Sequence, residues 1–411
     1  MDSRVYWIWL AQALQPGCRA AGPLLEHFAC AADIHAASEA QLRQAGVSPA
    51  VMERLCDRSL TEAHAVLDRV LAAGDWLLTP EDALYPDGLR RMADPPVVLY
   101  CRGTLPDLNT RPALAVVGTR HPSQEGQQEA WLLAAGLAAG GITVISGGAV
   151  GIDAAAHSGA LAGGGITLAV MACPLDVEYP RENAALRRQI VQQGGALLSE
   201  YPPGLPYQCV FPVRNRLLAG LTLGVCLAET PARSGARITA RLARENDRDV
   251  FALPGALLHH RNDGAHREIR GGATLVTRAA DIIEEYAPLF PGLLDAEAAI
   301  AAEKRLAGKQ PAEQPEKAPR GVRKAKSRRR PAAQPEEPPV LPASPAVLPT
   351  EASAAAAQVY AALGNTPQPV DQLAGATGLP VPALLAALTE LEMLGCACNS
   401  AGQQYARVRQ G

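Results

Sequence analysis

Between Leu114 and Val276, short runs of continuously apolar residues alternate with longer segments whose apolar residues recur at three and four positions. The short runs are "LAVVG", "ITVIS", "ITLAVMA", "ALLSE", "LGVCLAE", "DVFALP" and "ATLV". Between them lie helical segments such as "QQEAWLLAAGLAA", "RENAALRRQIV" and "ARITARLAREND". Apolar strands separated by helices predict a parallel sheet covered on both faces, with ligands held on the turns at the strands' C-terminal edge. Residues 1–72 carry only the helical period, with Ser38 three residues before Gln41 as a capping box. From Ala352 onward three helical segments and a short hairpin, "CACNSAGQQYARV", add up to a winged helix. The predicted division is a helical module at 1–72, an α/β sheet domain at 73–290, a linker at 291–350 and a winged-helix domain at 351–411. Ten of the forty residues 311–350 are proline. Such composition cannot bury a core, and a coil of that length spans roughly 35 Å.

Composition narrows the class. A chain of 411 residues that is 48% hydrophobic can build two or three cored domains. Its nine cysteines are odd in number, scattered and without a CxxC pair. Reduced thiols of a cytoplasmic protein are expected, and neither a disulfide frame nor a zinc site. The opening "MDSRVYWIWLAQALQPG" mimics a short signal sequence, but it runs into a helical pattern and reads as the first helix of a folded domain. No apolar stretch reaches the ~20 residues of a membrane span. The net charge of −3 decides nothing about nucleic acid, so local patches must.

The candidate chemistry lies on the turns of the sheet domain. "VVGTR" presents Gly118, Thr119 and Arg120 at a strand end, where a guanidinium makes a forked donor for phosphate. "SGGAVGIDAAAH" places Ser146, Gly147 and Gly148 where strand becomes helix, with backbone donors and the helix dipole directed at an anion. Asp153 is expected to cap that helix, and His157 lies within its reach, so the pair reads either as a local bond or as a catalytic dyad. In "YPRENAAL", Arg181 and Asn183 face the same edge. "FPVRNR" supplies Phe211, Arg214, Asn215 and Arg216, an aromatic face and two guanidiniums, the groups that hold a single strand of nucleic acid; Phe211 could equally be core. "SGARITARLARENDR" offers Ser234 as a helix cap, Gly235 for close approach, and Arg237, Arg241, Arg244 and Arg248 as one basic stripe. Glu200 to Arg248 holds seven Arg against four acidic residues, an excess of three that the net charge hides.

Other chemistries find less support. His259, His260, Asp263 and His266 do not have metal-ligand spacing, so no metal and no cofactor is expected. No Walker lysine follows a glycine turn, and there is no nucleophile elbow. The alternative to a binding protein is an enzyme of the nucleotide-processing Rossmann-like families, with Asp153 or Glu229 as its carboxylate, but the "PGG.GT" turn of those families is missing.

Eight motifs in order, "VVGTR", "SGGAVGIDAAAH", "YPRENAAL", "SEYPPG", "FPVRNRLLAGL", "SGARITA", "VFALPG" and "GAHREIRGGA", closely resemble the DNA-processing family DprA, also called Smf. The resemblance spans about residues 75–285. It implies an extended Rossmann-like parallel sheet flanked by a SAM- or helix-hairpin-helix-like module and a winged helix. It also implies a homodimer, without known catalysis, that binds single-stranded DNA, shields incoming DNA in natural transformation and helps load the recombinase RecA. A general DNA-metabolism role remains a second reading. By the same resemblance the G-[ST]-R arginine and the "FPVRNR" loop contact DNA. Four positions depart from the family pattern: Ala184 and Gln208 stand where relatives often carry lysine, Arg237 where an apolar residue is common, and Glu268 where an aliphatic residue is usual. Glu268 lies near the region that relatives use for pairing. The third helix of the winged domain, Leu379 to Leu394, has no Lys or Arg, which predicts a poor groove reader.

Overall fold

The computed structural model describes residues 2–204 and 211–309, and toward the C-terminus 353–364, 368–380, 383–384, 387–388, 391, 397–400 and 404–407. Residues 2–309 belong to one compact unit, and the C-terminal residues form a second. The proline-rich basic stretch, Gln208 and most of the third helix of the winged domain lie outside the described residues.

The first unit opens with six helices, α1 (Ser3–Leu14), α2 (Ala21–His27), α3 (Ala31–Ala36), α4 (Glu39–Gln44), α5 (Pro49–Cys56) and α6 (Thr61–Ala72). Ser38 and Gln41 form the expected capping box on α4. Nine strands follow: β1 (Trp76–Leu78), β2 (Leu99–Gly103), β3 (Ala113–Val117), β4 (Thr143–Ser146), β5 (Thr167–Met171), β6 (Ala196–Ser199), β7 (Gly224–Leu227), β8 (Asp249–Ala252) and β9 (Thr274–Leu275). The helices among and after them are α7 (Asp87–Arg90), α8 (Gln124–Ala139), α9 (Ile152–Ala162), α10 (Ala184–Gln192), α11 (Phe211–Gly220), α12 (Ala236–Glu245), α13 (Asp263–Arg270), α14 (Ala279–Tyr286) and α15 (Ala296–Leu306).

The sheet order is β1-β2-β6-β5-β4-β3-β7-β8-β9. Every pair from β6 through β9 is parallel, and β2 and β1 extend the sheet in antiparallel register. The chain leaves β3 toward β4, β5 and β6, then crosses back to lay β7 on the other side of β3. That reversal is the topological switch point, where open α/β sheets form a crevice. The two-residue period of β3 divides its side chains. Ala113, Ala115 and Val117 pack with Leu217, Leu218 and Ala240 of α11 and α12. Leu114 and Val116 face α8, α9 and α14. The seven predicted strands coincide with β3 to β9, whereas β1 and β2 carry too short an apolar signal to be singled out.

Two predicted boundaries need correction. The helical module is not separate, because Val5, Trp7 and Leu10 share one core with Leu77, Val98 and Tyr100 of the sheet region. The linker does not begin at 291, because α15 is a capped helix. Asp295 accepts from Ala298 N at 2.9 Å, and Ala299, Ala302 and Leu306 are buried. Its packing on α8 requires small residues there: a Cβ on Gly140 would lie 2.9 Å from Asp295 O.

In the second unit α16 (Ala354–Ala362) and α17 (Val370–Thr377) accompany a sheet of β10 (Gln368–Pro369), β12 (Gln404–Arg407) and β11 (Ala397–Ser400), in that order and antiparallel. Among all described residues no helix is long and apolar enough to cross a membrane.

Candidate functional site

The loop after β3 is joined to both neighbouring turns by backbone bonds. Thr119 N donates to Glu229 O at 2.8 Å, and Ile152 N donates to Thr119 O at 3.1 Å. Glycine makes this approach possible. A Cβ on Gly118 would lie 2.6 Å from Ile152 and 2.9 Å from Glu229 O, and one on Gly151 (φ 84°) 2.5 Å from Thr119 O. The result is a rigid rim at the switch point with Arg120 projecting from it.

The glycine turn after β4 does something other than expected. Ser146, Gly147 and Gly148 are buried, and Ser146 Oγ donates to Val116 O at 2.7 Å. Asn183, expected at the ligand edge, is also buried; its Nδ2 donates to Gly148 O (3.0 Å) and Ala149 O (2.9 Å). Arg214 is only 4% exposed, and its Nη1 donates to Gly147 O at 2.5 Å and to Val170 O. A Cβ on Gly147 would fall 2.5 Å from the Arg214 guanidinium and 2.6 Å from Asp153 Oδ2. The turn is therefore a socket for an arginine side chain, and these four polar and glycine residues position rather than present. Asp153 does not cap α9, whose first residue follows Gly151 without a side-chain bond; its Oδ2 accepts from Ala149 N at 3.3 Å. Burial raises the Asp153 carboxyl above its ordinary range, against the pull of Arg214.

His157 does not pair with Asp153. Thr167 Oγ1 donates to Val144 O at 2.8 Å, so it accepts from His157 Nδ1, also at 2.8 Å, which fixes the proton on Nδ1. Burial, with Arg214 second, pushes the imidazole down to about 3, so it stays neutral. Glu229 is tied in as well. Ser123 Oγ donates to it, Ser123 N reaches Oε1 at 3.0 Å, and Arg261 stands 3.4 Å away.

A pocket of about 350 Å³ opens beside the ends of β3 and β7, lined by Thr119, Arg120, Phe211, Arg214, Asn215 and Ser234 among others. Phe211 is half-buried at its mouth rather than in the core. The Arg120 guanidinium stacks 3.9 Å from the centre of the Phe211 ring, with Arg214 at 6.0 Å and the Tyr179 ring at 6.2 Å. Asn215 Oδ1 accepts from Arg214 Nε at 3.2 Å. Ser234 and the exposed Gly235 bring the first turn of α12 to the same pocket. Arg181 is exposed but does not line it. Arg233 and His121, which no motif singled out, do line it, both exposed. Arg233 immediately precedes the "SG" turn at a strand's C-terminal edge, and that position is the signal that could have found it.

Arg216 is a clear correction. Its guanidinium is 4% exposed, 2.6 Å from Glu200 and 3.2 Å from Asp94. Burial raises the Glu200 carboxyl, and the charge and hydrogen bonds of Arg216 oppose that. Three of the four arginines of the basic stripe are likewise spent on carboxylates. Arg237 and Arg244 both clamp Glu268, at 2.8 and 2.6 Å, and Arg241 pairs with Glu245 at 3.0 Å. Burial alone would raise the Glu268 carboxyl, but the two arginines outweigh it and hold it below its usual range. The two departures at 237 and 268 thus answer one another. Among the described residues no group of side chains could hold a metal ion.

These features define an extended Rossmann-like α/β protein whose switch-point pocket is made of guanidiniums, an aromatic ring and a helix start. The family model for DNA recombination-mediator protein A matches residues 76–287, and that for the DprA winged helix domain matches residues 330–403. The DNA processing protein DprA of Streptococcus pneumoniae is 44% identical over 206 residues, 50% of this chain and 72% of that one. Protein Smf of Synechocystis is 30% identical over 99% of both chains. The X-ray structure of the S. pneumoniae protein superposes with a TM-score of 0.59 at 34% identity, covering 68% of this chain and 97% of that one. The chain belongs to the DNA recombination-mediator protein A family of DNA-processing proteins.

Proposed function

We propose that this protein is a non-catalytic binder of single-stranded DNA that protects incoming strands and helps load RecA during natural transformation in the cytoplasm. The observation that carries the reading is the Arg120–Phe211 stack at the mouth of the pocket. A base laid on the exposed part of such a platform contributes ~1–3 kcal/mol, and the flanking guanidinium meets the phosphates. Arg233 and the first turn of α12 extend the polar wall, while Arg214 supplies fixed charge from its socket. The enzyme reading lacks a usable carboxylate, since Asp153 is buried against Ala149 N and Arg214, and Glu229 is bonded to Ser123.

A mobility shift with single- and double-stranded oligonucleotides tests this. Arg120→Ala and Phe211→Ala should each weaken single-strand binding about tenfold, ~1.4 kcal/mol. Equal affinity for both DNA forms, or no effect of either substitution, would sink it.

The same reading makes the protein a homodimer through α13 and the edge strand β9. Leu275 on β9 is 50% exposed, while Glu268 is turned inward and leaves that edge uncharged by its carboxylate. Leu275→Arg should shift the sedimentation coefficient to that of a monomer; an unchanged coefficient would rule this edge out.

A further inference from the structure

A second cleft, of about 880 Å³, lies on the other side of Pro212 from the first pocket, between the N-terminal helices, α7 and α12. Arg19, Arg91 and Arg248 line it from three different segments. Among the described residues none of the three side chains makes a hydrogen bond or an ion pair. None of the carboxylates of the cleft stands within ion-pair distance of them. Asp94 is taken by Arg216 at 3.2 Å and Glu245 by Arg241 at 3.0 Å, which leaves Asp247. Arg248 is the least ordinary member. Its Nε is closed off from solvent with no partner, and its Nη2 packs against Gly88, where a Cβ would come within 2.7 Å of it. Burial lowers its affinity for a proton and the neighbouring Arg91 lowers it further, against the smaller pull of Asp247 and Asp249. Gly88 itself admits no side chain, because a Cβ would also strike Gly220 O. Two neighbouring guanidiniums thus share the cleft, one of them partly buried, and Asp247, the carboxylate left to them, makes an ion pair with neither. A desolvated cation without a partner is costly, and a forked pair of arginines matches phosphate oxygens.

We infer that this cleft is a phosphate-binding site built on Arg91 and Arg248, and that it takes a backbone phosphate of the same DNA strand after the strand crosses Pro212. The strand part rests on the proposed function; the phosphate chemistry stands without it. Net positive charge facing the cleft and the shared Pro212 rim favour a polyanion passing from one pocket to the next.

The test uses the full-length protein with oligothymidylates of about 4 and about 16 nucleotides, the span of single-strand site sizes, and separately with inorganic phosphate. Arg91→Glu combined with Arg248→Gln should weaken the longer strand about tenfold and leave the shorter one unchanged. It should also make the salt dependence shallower by about 0.7 for each phosphate no longer neutralised. Arg120→Ala should weaken both lengths, and its failure to do so would overturn the strand reading alone. If inorganic phosphate raises the melting temperature of the wild type but not of the double variant while strand affinities are equal, the cleft holds free phosphate. If neither the long-strand affinity nor the phosphate-induced melting shift differs between wild type and variant, the site does not exist. Should Arg248→Gln fail to fold, Arg19→Glu with Arg91→Glu, both on exposed side chains, carries the same comparison.

Discussion

Of the three arginines that flank the pocket in the motifs, only Arg120 projects toward solvent. Arg214 is locked into the glycine turn, and Arg216 bridges Glu200 and Asp94. The distinction matters because removing one partner of a buried ion pair leaves an uncompensated charge, which costs about 3–5 kcal/mol. Arg216→Ala should therefore lower the free energy of urea unfolding by about that much, while the protein that remains folded keeps nearly normal affinity for single strands. A large loss of affinity without loss of stability would return Arg216 to the DNA surface. His157 offers a second measurement. Its unfolded pKa is about 6.5 and its folded value about 3, so below pH 6.5 the unfolded chain binds a proton that the fold refuses. The stability it contributes is present above pH 6.5 and is lost at about 1.4 kcal/mol per pH unit as the pH falls toward 3. Unfolding free energies measured from pH 7 to pH 5 should fall less steeply for His157→Leu than for the wild type; parallel slopes would contradict the buried neutral imidazole.

Among the secondary-structure elements, α12 carries less available charge than its sequence advertises, and the winged helix has little charge in its sequence to begin with. The arginines at 237 and 244 converge on Glu268 of α13, so α12 presents its N-terminal turn, not its flank, to the pocket. In the second unit Arg407 donates to Tyr360 O at 2.6 Å and stacks 4.5 Å from that ring, which holds its guanidinium against α16. Phosphate neutralisation drives most DNA affinity. Deleting residues 311–411 should accordingly keep single-strand affinity within about tenfold, ~1.4 kcal/mol, in the same mobility shift. A larger loss would assign the winged helix a direct part in binding.

Across the fold, the sheet order places the two proposed binding surfaces side by side, because β3 and β7 meet at the switch point and α11 separates the pocket there from the cleft beyond Pro212. Much of this was legible in the chain. Seven strands, the alternating helices and the winged-helix pattern follow from local hydrophobic periodicity, which depends on neighbours in sequence. The segments that meet at the pocket were legible too, since "VVGTR", "FPVRNR" and "SGAR" each sit at a strand's C-terminal edge. What periodicity could not carry was the antiparallel extension by β1 and β2, and the packing of α15 on α8, because each is stabilised by a partner far away in sequence. Nor could it separate Arg120 from Arg214 and Arg216. All three have the same chemistry and adjacent motifs, and whether a guanidinium meets solvent or a carboxylate depends on Glu200, Asp94 and the Gly147 carbonyl arriving from other strands. Side-chain type is written in the sequence; the partner that consumes or exposes its charge is set by long-range packing.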